Sequence, residues 1–336
     1  MVTLADWMAL DVAAVRDEAA QVRSFELVDP DGAALPEWAP GAHIGVLAPD
    51  TDPEMVRQYS LCGEPADTGR YRIAVLREEN GRGVSRSLHE SVEVTSRLMV
   101  RGPRNNFSLV AAPRYLFIAG GIGITPILPM LRAAQERGTD WALYYGGRWR
   151  ERMAFLAELG GYGERVRVRP EDEHGLLPLA EILDAAGPRT AIYACGPEPL
   201  LAAVERRWGE RSVGTLHIER FQPRPQEPAA VQDDGFDVRV ASTGTTVRVG
   251  PGQSIMDALG AAGVEVPASC REGPCASCET TVLDGEAEHR DSVLSDEERA
   301  TGATIREAAQ LVHVTEFDGE HDQLVDRAGG AVLCKP

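Results

Sequence analysis

Three cysteines near the carboxyl end of the sequence have a spacing that suits an iron–sulfur cluster. Cys270, Cys275 and Cys278 form the pattern C-x4-C-x2-C within the stretch SCREGPCASC. Thiolates spaced in this way on one loop ligate a two-iron, two-sulfide (2Fe-2S) cluster, which needs four ligands in total. Zinc is the main alternative, but zinc sites usually pair C-x2-C units. The pattern predicts a one-electron carrier for which this loop supplies three ligands.

Two other stretches contain residues that suit a nucleotide. The stretch AGGIGITP follows an apolar run and precedes a helical pattern, so the amides of Gly120, Gly121 and Gly123 are predicted to face a pyrophosphate. The stretch YACGPEPLL places Cys195 at the carboxyl end of a later strand, the edge at which open α/β sheets bind ligands. The alternatives are a tight strand-to-helix turn and a buried apolar cysteine.

The stretch RQYSL combines a charged, an aromatic and a hydroxyl side chain on one predicted strand. Arg57 offers a planar set of donors, Tyr59 a flat ring with a hydroxyl, and Ser60 a donor and an acceptor. On a strand, Arg57, Tyr59 and Leu61 point to one side and Ser60 to the other. The alternative is an exposed arginine beside a packed tyrosine.

The stretch NGRGVSRSLHE suits an anion. Gly81 and Gly83 free the backbone to approach a charged group. Ser85 stands at the predicted start of a helix, where amide groups and the helix dipole favour phosphate. The alternative is an ordinary serine cap.

These motifs are distributed over three predicted domains. Residues 1–110 alternate short apolar runs with turns, which predicts antiparallel strands that close a small barrel. Residues 111–226 alternate strands with helices, which predicts an α/β domain with a parallel sheet. Residues 227–235 are predicted to be a linker, and 236–336 begin with a hairpin and a short helix before the cysteine loop. We therefore expect a multidomain protein with a β-barrel, an α/β domain and an α+β domain.

The composition restricts the classes of partner and location. The 336-residue chain has 52 acidic and 34 basic side chains and a formal net charge of −18, which argues against nucleic acid and an anionic membrane as partners. Asp6 and Asp11 interrupt the start of the chain, where a signal peptide needs an apolar run. We expect a cytoplasmic protein, in which cysteines serve as metal ligands or catalytic thiols before disulfides.

Taken in order, these motifs resemble the phthalate dioxygenase reductase family, which includes the reductase of vanillate O-demethylase and belongs to the ferredoxin-NADP reductase superfamily. Members run from a flavin barrel through a nicotinamide domain to a plant-type ferredoxin of β-grasp fold. The resemblance covers the chain from about Ala5 to Arg299. It implies FMN rather than FAD, NADH as the substrate, and an oxygenase partner, with a Rieske-type aromatic oxygenase or O-demethylase as the natural candidate.

The resemblance assigns flavin contacts to the barrel motifs. Arg57 would bind the flavin phosphate, and Tyr59, Ser60 and Leu61 would lie along the ring and ribityl chain. The other implied contacts are Ala74 and Val75 at the ring edge, Gly83, Val84 and Ser85 at the phosphate, and Phe221 near the flavin. The family usually has Gly-Gly-Ser in the phosphate segment, so Val84 is a departure.

The resemblance also assigns nicotinamide contacts. The turn with Gly120, Gly121 and Gly123 would face the pyrophosphate, and Thr125 would lie near the flavin ring. The residues beside the nicotinamide would be Cys195, Gly196 and Pro197. Thr125 and Cys195 are therefore the predicted catalytic residues. Arg148 and Arg150 follow the strand ALYYGG, where the adenosine ribose should lie; two arginines could accept a 2′-phosphate, so NADPH stays an alternative to NADH.

The sequence leaves three alternatives for the fourth cluster ligand. The resemblance to plant-type ferredoxins implies a fourth cysteine roughly 30 residues after the third. That position is near Ala308 here, where the sequence has no cysteine. Cys334, 56 residues after Cys278, could fold back as the ligand, or His313 could replace it, as histidine does in Rieske centres. The third interpretation is a tail altered as by a reading-frame change, with a weak or absent cluster. The family pattern stops abruptly after residue 304, which favours the third.

The sequence therefore predicts an NADH-dependent flavin and iron–sulfur reductase that splits a hydride into single electrons for an oxygenase. A flavin can hold one or two electrons, so it connects a two-electron donor to a one-electron cluster. Without a cluster, the chain would be an NADH:FMN oxidoreductase that reduces small acceptors (a diaphorase). A cytochrome P450 is the alternative partner. A degenerate binding subunit is the non-enzymatic alternative, and the intact flavin and nicotinamide motifs argue against it.

Overall fold

The computed structural model describes most of the chain between Trp7 and Lys335. The described residues are 7–49, 51, 55–79, 81–210, 214–222, 235–241, 243–250, 252–264, 279–281, 283, 286–288, 304–306, 311–313 and 332–335. Two compact units divide the chain after Phe221. Within the described residues, every helix is too short or too polar to cross a bilayer.

An antiparallel sheet of six strands forms the first half of the first unit. Its elements are β1 (Trp7–Ala19), β2 (Val22–Val28), β3 (Ala42–Leu47), β4 (Val56–Ser60), β5 (Tyr71–Leu76), α1 (Val84–Ser91) and β6 (Arg97–Asn105). The strand order is β4-β3-β6-β1-β2-β5. A bridge between Leu61, just after β4, and Ile73 on β5 joins the two edges. The sheet is therefore closed into the barrel that the sequence predicts.

Alternate residues of the barrel strands form its core. Phe25 and Leu27 on β2, and Ile73 and Val75 on β5, are all fully buried, as expected when every second side chain points inward. Helix α1 packs against the same cluster through its buried residues Val84 and Leu88. The helix is thereby fixed against the barrel.

Strand β1 does not correspond to any of the short apolar runs that predict the other barrel strands. Its register with β2 shifts between Val12 and Ala14 and again between Asp17 and Ala19. Such irregularities insert a residue into the ladder and break the alternation of buried and exposed side chains. The stretch DVAAVRDEAA therefore lacks the period of two that marks the neighbouring strands.

A parallel sheet of five strands forms the second half of the first unit. Its elements are β7 (Arg114–Gly120), α2 (Ile127–Glu136), β8 (Asp140–Gly147), α3 (Leu156–Gly160), β9 (Val166–Pro170), α4 (Glu171–His174), α5 (Leu179–Asp184), β10 (Thr190–Cys195), α6 (Glu198–Gly209) and β11 (Thr215–Glu219). The order is β11-β10-β7-β8-β9, and all neighbouring strands are parallel. The central strands β7 and β10 are buried almost throughout, because helices cover both faces of such sheets.

The stretch RMAFLAELG, residues 152–160, has the apolar pattern of a helix, but the helix in the structure is shorter. Helix α3 begins only at Leu156, because Phe155 has a positive φ of 64°. This left-handed conformation cannot continue a right-handed helix. Phe155 is buried, so its conformation directs the ring into the core.

The second unit begins with a hairpin and a helix. Its elements are β12 (Phe236–Val240), β13 (Thr245–Val249), α7 (Ile255–Ala261), β14 (Glu279–Thr281), β15 (Glu286–Glu288), β16 (Thr304–Arg306), β17 (Leu311–His313) and β18 (Val332–Lys335). The Ser254 hydroxyl caps α7 by accepting a hydrogen bond from the Asp257 amide at 3.1 Å. Buried Val238, Ile255 and Leu259 pack the helix onto the hairpin, and β18 extends the hairpin to a sheet of order β13-β12-β18.

Candidate flavin and nicotinamide site

The two nucleotide motifs of the α/β domain meet at the carboxyl edge of its sheet. Strands β7 and β10 are neighbours, with Ala119 in register with Cys195. A Cβ atom added at Gly123 would lie 2.4 Å from the Cys195 carbonyl oxygen, and one at Gly120 would lie 2.7 Å from Pro197 Cδ. Only glycine allows this approach, so the turns after β7 and β10 pack together as one surface.

The turn after β7 leaves room for a ligand at one position. Gly121 has a φ of +53°, and nothing lies within 4 Å of the place that a Cβ would occupy. Gly121–Ile124 form a 3-10 turn that precedes α2. Thr125 is buried, and its hydroxyl donates to the Ile122 carbonyl oxygen at 3.0 Å. Thr125 therefore stabilises the turn that carries Gly121.

Cys195 has a partner, Glu219, that belongs to none of the sequence motifs. Glu219, the last residue of β11, is in register with Cys195, and its Oε2 lies 3.9 Å from the Cys195 Sγ. Burial raises the pKa of the Glu219 carboxyl to about 8. Burial, followed by the charge of Glu219, raises the pKa of the Cys195 thiol well above its ordinary value. At neutral pH both groups are therefore predominantly uncharged.

Arg220 fixes the end of strand β11. Its side chain is 4% exposed and pairs with Glu198 at 2.8 Å and with Glu205 at 2.6 Å, both on α6. Phe221 follows and is 41% exposed. The two ion pairs therefore determine where the carboxyl of Glu219 and the ring of Phe221 lie at the sheet edge.

On the barrel, the predicted flavin residues of the stretch RQYSL differ in how far their side chains are buried. Leu61 is 0% exposed and belongs to the barrel core, and Ser60 is 5% exposed. Arg57 and Tyr59 are partly exposed on the same side of β4. Burial raises the pKa of the Tyr59 hydroxyl and the charge of Arg57 opposes this shift. Arg57 and Tyr59 thus present a cation and a neutral phenol at the barrel surface.

The segment of Gly83, Val84 and Ser85 opens helix α1. Gly83, with a φ of 102°, occupies the cap position, and no side chain caps the helix. The Ser85 hydroxyl instead accepts a hydrogen bond from the Glu78 amide at 3.1 Å, so the serine-cap alternative is wrong. Val84 is buried. Nothing lies within 4 Å of a Cβ placed at Gly83, and the first amides of a helix lack helical acceptors.

Ala74 and Val75 lie on β5 with buried side chains, 4% and 0% exposed. Their main chain is therefore the part that can face a flavin ring. Across the sheet they are in register with Ser24 and Arg23 of β2. The neighbouring Arg77 pairs with Glu90 of α1 at 2.7 Å, which ties the end of β5 to the helix that Gly83 caps.

Charged side chains join the barrel to the α/β domain within the first unit. Arg72 of β5 pairs with Glu18 of β1 at 2.8 Å and with Glu158 of α3 at 3.2 Å. Arg132 of α2 also pairs with Glu158 and donates to the Cys62 carbonyl oxygen at 3.2 Å. The shared carboxylate of Glu158 therefore connects strands of the barrel with helices that flank the parallel sheet.

Taken together, the residues fit a phosphorylated flavin. Arg57 supplies a cation, the start of α1 supplies amides beside an open glycine, and Tyr59 supplies a flat, uncharged ring. Arg148, which is predicted to lie near the adenosine ribose, is exposed, and its Cζ lies 5.5 Å from the centre of the Trp149 ring.

The predicted cluster ligands Cys270, Cys275 and Cys278 lie outside the described residues. Cys334 lies on β18 with its Cα in register with Val238 of β12. His313 ends β17, in register with Glu286 of β15. The two candidates for the fourth ligand therefore belong to different small sheets of the second unit.

Parts of the chain match two protein families. Residues 117–206 match the oxidoreductase NAD-binding domain family. Residues 238–309 match the 2Fe-2S iron-sulfur cluster binding domain family. One chain therefore combines an NAD-binding domain with an iron–sulfur domain, and both cofactor classes were predicted from its motifs.

Similarity to known proteins extends over most of the chain. Phenoxybenzoate dioxygenase subunit beta from Ectopseudomonas oleovorans is 41% identical over 300 residues, 89% of this chain and 92% of that protein. Phthalate dioxygenase reductase from Burkholderia cepacia is 36% identical over 301 residues, 88% and 92% of the two chains. A solved structure of phthalate dioxygenase reductase, described as a modular structure for electron transfer from pyridine nucleotides to [2Fe-2S], has a TM-score of 0.68 at 31% identity and covers 98% of both chains.

A second solved structure is similar over a part of its length. An intact type IV self-sufficient cytochrome P450 monooxygenase matches with a TM-score of 0.84 and 40% identity. The match covers 90% of this chain and 40% of the P450 chain. This chain therefore corresponds to less than half of that protein.

Proposed function

This chain belongs to the phthalate dioxygenase reductase family, and we propose that it uses NADH, FMN and a 2Fe-2S cluster to deliver single electrons to an oxygenase. The observation that carries the proposal is the presence of an NAD-binding and an iron–sulfur domain in one oxidoreductase chain. The preferred partner is a Rieske-type oxygenase or O-demethylase, because the similar proteins include dioxygenase components. We divide the chain into an FMN barrel (1–110), an NAD-binding domain (111–226), a linker (227–235) and a ferredoxin-like domain (236–336).

In this proposal the barrel binds FMN. Arg57 and the amides at the start of α1 bind its phosphate, with Gly83 leaving space beside them. Tyr59 and Ser60 line the ribityl chain, and Phe221 covers the ring. When bound, FMN accepts the two electrons of a hydride together and releases them one at a time. FMN has a single phosphate, which matches one arginine and one helix start better than the longer pyrophosphate of FAD would.

The edge formed by β7, β10 and β11 orients the nicotinamide. The amide at Gly121 faces the pyrophosphate, and Cys195 lies beside the nicotinamide, with Pro197 flanking it. Cys195 is fully buried, and Cys195 and Glu219 are both predominantly uncharged at pH 7, so they place no ionised group beside the nicotinamide. Thr125 positions the turn through its bond to Ile122.

The three thiolates of Cys270, Cys275 and Cys278 are the proposed cluster ligands. Their spacing and chemistry fit a 2Fe-2S cluster. Cys334 is our first candidate for the fourth position, and His313 is the second. We place the protein in the cytoplasm; Cys62 and Cys195, the cysteines whose side chains the structure describes, are both unpaired, as expected in a reducing compartment.

The experiment that tests the function compares two electron acceptors. Ferricyanide can take electrons from the flavin, whereas cytochrome c stands in for the one-electron partner that the cluster serves. The wild-type protein should reduce both with NADH. Cys275→Ser should retain ferricyanide reduction and lose most of its cytochrome c reduction, because one cluster thiolate is missing. Equal retention of both activities would contradict a path through the cluster.

Two observations favour specific alternatives. The absence of a cysteine near residue 308 favours a cluster-deficient NADH:FMN oxidoreductase, for which cytochrome c reduction would be low in the wild type as well. The similarity to part of a self-sufficient P450 monooxygenase favours a cytochrome P450 as partner. NADH-driven reduction of a purified P450, but not of a Rieske oxygenase, would support that partner.

A further inference from the structure

The segment after strand β8 lies where the adenosine ribose of a dinucleotide is expected. Strand β8 ends at Gly147, and Arg148, Arg150 and Arg152 follow at alternate positions. In open α/β sheets the residues beyond the carboxyl end of this strand distinguish a ribose 2′-hydroxyl from a 2′-phosphate. The partners of these three arginines therefore bear on the choice between NADH and NADPH.

The guanidinium group of Arg150 forms an ion pair with the carboxylate of Glu173. Its Nε donates to Glu173 Oε1 at 2.7 Å, and its Nη2 donates to Glu173 Oε2 at 2.8 Å. This is the two-bond geometry with which arginine also binds phosphate. The hydrogen bond from Arg150 lowers the pKa of the Glu173 carboxyl, so Glu173 stays ionised at neutral pH. A 2′-phosphate would have to displace it.

Arg148 and Arg152 both lie against an aromatic ring. The Cζ of Arg148 is 5.5 Å and that of Arg152 is 4.6 Å from the centre of the Trp149 ring. Cation–π contacts at these distances keep a guanidinium close to the ring. Arg150 is therefore the arginine of this segment whose donors are set in a carboxylate-binding geometry.

The helix that carries Glu173 adds further negative charge. The Asp172 amide donates to the Arg148 carbonyl oxygen at 3.3 Å, so α4 lies beside the arginine segment. Helix α4 contains three acidic residues, and Glu151 lies between the arginines. Arg169 of β9 donates to the His174 carbonyl oxygen at the end of α4, so four carboxylates face four guanidinium groups. The surface therefore has no net positive charge to attract an additional phosphate.

We propose that Glu173 selects NADH over NADPH by occupying Arg150. A dinucleotide with a free 2′-hydroxyl brings no charge to this surface and leaves the ion pair intact. A 2′-phosphate must break the pair and approach the acidic helix α4. The inference rests on the proposed NADH-dependent function and names the residue that sets its nucleotide specificity.

The test measures binding of two adenosine nucleotides to the full-length protein with FMN bound. Isothermal titration calorimetry gives the affinities for adenosine 2′,5′-bisphosphate and adenosine 5′-monophosphate. In Glu173→Gln, the ratio of the two affinities should rise about tenfold in favour of the bisphosphate, because the donors of Arg150 become available to phosphate. The gain should shrink as salt is added, since the pair is exposed.

Two further variants separate this effect from a general change in charge. Glu210, which follows α6 near the opposite edge of the sheet, forms another exposed ion pair, with Arg207 at 2.6 Å. Glu210→Gln removes this carboxylate and should leave the ratio of the two affinities as in the wild type. In Glu173→Gln combined with Arg150→Gln, the gain should disappear. An unchanged ratio in Glu173→Gln, or a gain that survives the loss of Arg150, would overturn the proposal.

The same proteins distinguish this inference from the proposed function. The ratio of NADPH to NADH in kcat/KM with ferricyanide should follow the ratio of nucleotide affinities. If the wild type failed to oxidise NADH, the proposed function would be wrong, but the calorimetric ratio would still test whether Glu173 blocks a 2′-phosphate.

Discussion

Glu219 is expected to make nucleotide binding depend on pH. Its carboxyl lies 3.9 Å from the Cys195 thiol, and burial raises its pKa from 4.5 to about 8. At pH 7 the neutral form therefore outnumbers the ionised form by about ten to one. A nicotinamide placed against Cys195 would remove water from this carboxyl, and loss of water disfavours the charged form. NADH should therefore bind to the protein with neutral Glu219.

The size of the effect follows from the pKa. If only the neutral form binds NADH, the apparent dissociation constant rises about tenfold between pH 7 and pH 9. Cys195 adds nothing to this change, because the pKa of its thiol is held well above the ordinary value of 9.0. His217 on β11 also does not titrate between pH 7 and pH 9, because burial lowers the pKa of its ring from 6.5. Glu219→Gln should remove the pH dependence.

Anaerobic rapid mixing with NADH measures this directly. The rate of flavin bleaching as a function of NADH concentration gives both the dissociation constant and the limiting rate at each pH. Glu181→Gln changes an exposed carboxylate on α5 and should keep the wild-type profile. A wild-type profile without an inflection near pH 8, or the same profile in Glu219→Gln, would show that Glu219 does not control NADH binding.

The same titration should appear in the stability of the protein. The pKa of Glu219 is higher in the folded state than in the unfolded state, so the folded state holds the proton more tightly. Its contribution to the free energy of unfolding is fully present below pH 4.5 and is lost as the pH rises through about 8. Between pH 6 and pH 9, the thermal unfolding midpoint should fall more in the wild type than in Glu219→Gln.

Two further predictions concern the flavin and the turn after β7. Arg57→Ala should lower the FMN content after gel filtration, because a charged hydrogen bond worth about 1.5–3 kcal/mol is lost; unchanged flavin content would count against this role. Gly123→Ala should lower the free energy of unfolding in urea by about 1–3 kcal/mol, because its Cβ would stand 2.4 Å from the Cys195 carbonyl oxygen. Gly160→Ala, where nothing lies within 4 Å of the added atom, is the control and should cause no such loss.

The elements that the sequence predicts well are those with regular burial. Strands β7 and β10 are continuous apolar runs because both of their faces are covered. The apolar pattern of the stretch EPLLAAVERRWG predicts a helix over residues 198–209, and α6 has these bounds. Local irregularities explain the differences. Register shifts break the alternating pattern of β1, and the positive φ of Phe155 shortens α3. The edge strand β11 is only partly buried along its length, so its sequence has no continuous apolar run.

The candidate site also contains some residues that the sequence predicts and others that it does not. Cys195 and the glycines after β7 lie within contiguous motifs, so the sequence alone places them at one sheet edge. Glu219 gains its importance from the pairing of β10 with β11, which joins residues 24 positions apart. Glu173 meets Arg150 over 23 positions. Such lateral contacts depend on strand order and helix docking, which a linear pattern does not encode.

The proposed function requires this one chain to connect a two-electron donor to a one-electron output. The ratio of iron and acid-labile sulfide to FMN, in protein purified without air, tests it most directly. We expect about two irons and two sulfides per flavin, and Cys334→Ala would then show whether Cys334 is the fourth ligand. Flavin without iron would rule out the proposed electron transfer to an oxygenase, because the electron path would end at FMN.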